Sequence, residues 1–82
     1  MNKELIAQAV RELLTSARNR GTDQGVLVYT NVLQMLEEAE KQGQIDEIQN
    51  RLNQALRGIE AHGDLTDVEF AIVRMLRGET MR

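Results

Sequence analysis

Four stretches of helix-period apolar residues follow one another along this 82-residue chain, punctuated by Gly21, Gly43, Gly63 and Gly78. Proline is absent. A glycine just past a periodic stretch is the usual helix stop, because it adopts the left-handed backbone conformation without a Cβ clash. The spacing therefore predicts an all-α domain over 1–82, with helices at about 3–19, 24–42, 44–61 and 67–77 in a small four-helix, bundle-like arrangement.

In the first helix, Leu5, Ile6, Ala9, Val10, Leu13, Leu14 and Ala17 share one broad face. Asn2 is its expected N-cap. Thr22 to Gly25 reads as a turn with capping chemistry. The second helix carries two apolar lines, Val26, Tyr29, Leu33, Leu36 and Val28, Val32, Met35, Ala39, and is expected to be the most buried. Val26 to Thr30 is rich in β-branched residues, but a lone strand would have nothing to pair with. The polar run Glu37 to Lys41 is expected to project into water as the end of that helix.

The third helix has a narrower pattern. Ile45, Ile48, Leu52, Ala55, Ile59 and His62 alternate at spacings of three and four, with Leu56 alongside. Such a seam suits packing against one other helix. The fourth helix has the clearest start. Thr66-Asp67-Val68-Glu69 fits a capping box, and Leu65 and Phe70 occupy the positions of a hydrophobic staple.

Composition narrows the function classes. A chain of this length shelters a limited core, and small domains often draw on disulfides, metals or a partner chain. Cysteine is absent and His62 is the sole histidine, which argues against disulfides and multi-histidine metal sites. No basic segment leads into an apolar run and no stretch is long enough to span a membrane, so the expectation is a cytoplasmic protein without membrane contact.

The net charge is −3 and unevenly spread. Helix one is mildly basic through Lys3, Arg11, Arg18 and Arg20, whereas Glu37, Glu38, Glu40, Asp46 and Glu47 make the middle acidic. That block is the expected contact for a basic partner.

The chain offers little for catalysis. Ser16 is the only serine and has no histidine in sequence reach. Gly21 to Gly25 has two glycines but lacks the lysine of a phosphate-binding loop. No Glu-x-x-His or calcium-loop spacing is present, so neither a metal nor a cofactor is expected. His62 reads as structural. A helix-turn-helix built from helices three and four would open its recognition helix with Asp67 and Glu69, which repel phosphates. The basic face of helix one is the other route to DNA.

Ala7 to Leu14, a polar linker and then Val32 to Glu37 resemble the small helical biofilm and acid-resistance regulators of enteric bacteria. The likeness spans a minor part of the chain, and no residue role carries over from it. The reading that follows is a small non-enzymatic regulatory or adaptor protein of the inhibitor, anti-activator or phage-accessory type. It acts by protein–protein contact, as a homodimer. Ile48, Leu52, Leu56 and Ile59 are the expected dimer seam, and Glu37, Glu38 and Glu40 the contacts to a basic partner. The alternative is a DNA-binding regulator using helix one or helices three and four.

Overall fold

The computed structural model describes residues 3–61, 63 and 65–77. It contains four helices: α1 (Lys3–Arg20), α2 (Asp23–Glu38), α3 (Gln42–Ala61) and α4 (Asp67–Leu76). Among the described residues there is no strand. Val26 to Thr30 is helical throughout. The expectations for Asn2, His62, Gly78 and the residues after it lie outside the described residues.

Each helix packs on its neighbours in the chain, and α4 closes the ring by packing on α1. The most extensive contact is α1 on α2. One continuous core runs through all four helices. It takes Ile6, Val10 and Leu13 from α1, Tyr29 and Leu36 from α2, Leu52 and Leu56 from α3, and Val73 and Leu76 from α4. The most buried helix is α1 rather than α2: Ile6, Ala9, Val10, Leu13, Leu14 and Ala17 are all buried, whereas Val26, Val28, Leu33 and Met35 of α2 are half-buried. The buried side of α2, Gly25, Tyr29, Val32 and Leu36, cuts across both of its apolar lines, so each line leaves members half-buried.

The α1–α2 connection is a tight helix stop. Gly21 has φ +72°, its amide donates to Arg18 O at 3.2 Å, and the Thr22 amide donates to Ala17 O at 3.0 Å. This pair of bonds satisfies the last carbonyls of α1. The Thr22 hydroxyl also donates to Ala17 O at 3.3 Å, so it does not cap α2. The four-residue turn expected at Thr22 to Gly25 is thus shorter, and Gly25 is buried inside α2. A Cβ at Gly25 would lie 3.3 Å from Ala17 Cβ and 3.4 Å from both Thr22 Oγ1 and Tyr29 Cε2. The missing side chain lets α1 and α2 approach closely.

The second helix ends earlier than its sequence pattern suggests. Ala39 is extended, with φ −72° and ψ 132°, and is buried. No basic residue stands in the last turn of α2, where Glu37 and Glu38 oppose the helix dipole. Lys3 supplies the missing positive charge from α1: its Nζ donates to Ala39 O at 3.0 Å and to Glu37 O at 3.5 Å. The third helix starts earlier than expected. Gln44 Oε1 accepts from the amides of Glu40 at 2.9 Å and Lys41 at 3.0 Å, reaching back as a capping-box residue does. Gly43 therefore lies in the first turn of α3 and stops nothing.

The start of α4 matches its sequence signature. The Glu69 amide donates to Thr66 Oγ1 at 3.2 Å, and the Thr66 amide donates to Glu69 Oε1 at 2.8 Å. At its other end, Gln49 Nε2 of α3 donates to Leu76 O at 2.8 Å, and Arg77 pairs with Glu60.

Candidate functional site

The four residues expected at a dimer seam face the chain's own core. Ile48, Leu52, Leu56 and Ile59 are all buried, with Leu52 and Leu56 fully so. The seam pattern describes a helix with one partner stripe. Here that stripe is supplied by the other helices of the same chain, so Leu52 and Leu56 present no surface to a second copy and Ile48 and Ile59 very little.

The three glutamates expected at a basic partner are exposed, but they do not converge. Glu37 lines a cleft between α1 and α2 with Lys3, Ala7, Arg11, Leu33 and Leu36. Glu38 lines a separate cleft of about 280 Å³ between α2 and α3, together with Met35, Glu47 and Arg51. Glu40 lies in the connection beyond Ala39 and lines neither. Adjacent positions on a helix point about 100° apart, which separates Glu37 from Glu38.

A different surface stands out. The outer side of α4 carries Val68, Ala71 and Met75, and Ile72, half-buried against the core, completes the i, i+3, i+4, i+7 spacing of one helix stripe. Val68 is 72 % exposed, the most of any large apolar side chain described, and Met75 is also exposed. Beside this stripe lies an open groove of about 870 Å³. Its α4 wall is Asp67, Val68, Ala71 and Ile72; its α1 wall is Gln8, Arg11, Glu12, Thr15 and Ser16. A wall apolar except for Asp67 at its end, facing a polar wall with both charge signs, suits an amphipathic partner surface.

The orientation of α4 explains why this stripe is outside. The inward side of the helix is Glu69, Val73 and Leu76, all at 0 % exposure. A buried carboxylate needs donors, and several neighbours provide them. Oε1 accepts from the Thr66 amide and lies 3.0 Å from Arg20 Nη2. Oε2 is buried and closes no full hydrogen bond, although the Ser16 hydroxyl is near enough to favour the ionised form. Burial pushes the carboxyl up, but the Thr66 amide, the Ser16 hydroxyl, the Arg20 guanidinium and the Thr66 hydroxyl together hold it below its ordinary 4.5. Tyr29 packs into the same region. Its phenol is pushed up from 10.0 to about 12, first by burial and then by the Glu69 charge, with Arg20 pulling partly back.

This surface is not legible in the sequence because α4 carries two candidate stripes. The outward one has no charge in it and looks like the core face. The inward one contains Glu69, whose capping-box role gave no sign of burial.

The positions bearing on DNA contact are scattered. Lys3 is engaged at the end of α2, Glu69 is buried, Asp67 is exposed at the start of α4, and Arg11 and Arg18 are exposed on α1. Among the described residues no helix is long and apolar enough to cross a membrane, and no group of three or more acidic, histidine or cysteine side chains could hold a metal ion. No protein-family model, curated protein or solved structure matches this chain.

Proposed function

We propose that this chain is a small non-enzymatic regulatory or adaptor protein that works by occupying protein surfaces, as a homodimer, in the cytoplasm. The observation that supports it is the exposure of Val68, Ala71 and Met75 of the α4 stripe beside the α1–α4 groove. Burying a side chain of this size stabilises by about 1.5–3 kcal/mol, so a chain that leaves Val68 outside forgoes that gain unless another surface covers it. The exposed acidic end around Glu37, Glu38 and Glu40 serves a basic protein partner, through charge steering more than through a shaped pocket.

Site-specific photocrosslinking in cells tests the reading. A photoreactive residue replaces Ala71 on the groove wall, Glu38 at the acidic end, or Gln54 on an exposed part of α3 as a control. Protein adducts from position 71 or 38, above those from position 54, are expected. A folded chain that yields no adduct above control from either position overturns the reading. The rival reading is DNA contact through Arg11 and Arg18. It predicts a duplex mobility shift that weakens steeply with added salt.

A further inference from the structure

Resting on that reading, we propose that the occupant of the α1–α4 groove is α4 of a second copy, packed antiparallel about a two-fold axis. The homodimer contact then lies on α4 and α1, on the flank of α4 beside its core-facing side, with Ile72 at the boundary between the two.

A two-fold contact needs a patch that complements itself. The α4 stripe and the groove beside it supply a ridge and a hollow on one face. Two copies related by a two-fold axis each place a ridge in the other's hollow. Antiparallel alignment sets Val68 of one copy near Met75 of the second, with Ala71 and Ile72 at the centre. Ala71 is the small residue at that centre, where it permits a close crossing of the two helices.

Charge selects the same direction. Asp67 stands in the first turn of α4 and Arg74 in its last turn, seven residues apart and so on the same side of the helix. Antiparallel copies bring each Asp67 to the Arg74 of the other and oppose the two helix dipoles; parallel copies would bring like charges together. The acidic surplus is placed away from this contact. Residues 23–61 hold seven acidic against three basic side chains, whereas α1 together with residues 67–77 holds four acidic against six basic. Association through α4 therefore keeps the two acidic halves apart.

Size sets how far the contact must reach. Ten helical residues are about 15 Å long, too short alone for the roughly 800 Å² per partner of a standard interface. The contact continues across the groove onto Gln8, Arg11 and Thr15 of α1, which form its far wall.

Sedimentation of the full chain over a concentration series is the test. The unaltered chain is expected to move from one copy to two. Val68→Asp and Ala71→Glu, both at exposed positions, are expected to weaken association at least about tenfold, the effect of burying an unpaired charge. Their circular-dichroism melts should stay close to that of the parent. Asp67→Lys and Arg74→Glu should each weaken the dimer, and the double variant should restore it. A chain that stays single at every concentration overturns the inference, as does a dimer indifferent to Val68→Asp and Ala71→Glu. In either case, crosslinking from position 71 to a different protein would leave the adaptor reading standing with another occupant. Absence of adducts from positions 71 and 38 would remove that reading as well.

Discussion

Glu69 Oε1 lies 3.0 Å from Arg20 Nη2, joining the end of α1 to the first turn of α4. The two partners are unequal: the Glu69 side chain is 1 % exposed, while that of Arg20 is 32 % exposed. If Arg20 loses its partner it can turn to water. Glu69 has no such exit. Arg20→Ala should therefore destabilise more than Glu69→Gln, by about 3 kcal/mol against about 1–2 kcal/mol. Urea unfolding of the two variants measures the difference. Equal costs would mean that the pair behaves as an ordinary surface bridge.

The same carboxylate makes stability depend on acid. Its folded value is depressed below the ordinary 4.5, so the unfolded chain binds its proton more readily. The resulting stabilisation is complete above 4.5 and is lost as pH falls through the lower folded value. In Arg20→Ala one of the holding charges is gone, and the acid transition should begin at higher pH. Circular dichroism followed from neutral pH downward gives both midpoints.

Tyr29 makes the opposite prediction in base. Its folded value is raised from 10.0 to about 12, so the stability it contributes is complete below 10.0 and is lost as pH rises through about 12. Tyr29 is the only tyrosine and tryptophan is absent, so phenolate absorbance reports this one side chain. Its titration should be displaced upward and should coincide with alkaline unfolding. A midpoint near 10.0 would place the phenol in water.

Two helical glycines form a matched pair. Gly58 of α3 has nothing within 4 Å of an added Cβ, so Gly58→Ala should gain about 0.5–1 kcal/mol of helix propensity. Gly25→Ala has the same intrinsic gain, but its Cβ meets Ala17 Cβ at 3.3 Å. Ala17 Cβ cannot rotate away, so α1 and α2 must separate slightly, and overpacking typically costs about 1–3 kcal/mol. Thermal melts should rank Gly58→Ala above the parent and Gly25→Ala below Gly58→Ala.

Ile48→Asp distinguishes a core from an interface. Ile48 is buried against the chain's own helices, so a carboxylate there should unfold the protein at neutral pH instead of releasing a folded single copy. Near-native ellipticity combined with a halved mass would return α3 to the interface.

Helix content and order are set by local signals, and the sequence carries them. The apolar period, the Schellman glycine at Gly21 and the capping box at Thr66 act within a few residues of themselves. The end of α2 was not legible, because it depends on Lys3 of another helix reaching the carbonyls of Glu37 and Ala39. The start of α3 was readable in principle from Gln44 at the third helical position, but Lys41 before it is not a residue that marks a helix start.

Which side of α4 faces inward was decided only by the tertiary structure. Periodicity gives the angle of a stripe about its own axis and does not say which neighbour receives it. Two stripes competed on α4, and hydropathy alone favours the uncharged one. The charged one lies inside because Arg20 and Ser16 of α1 meet Glu69 there together with the Thr66 cap. The same limit applies to α3: its pattern predicts a seam, but only the packing of the other helices shows that Ile48, Leu52, Leu56 and Ile59 spend it within one chain.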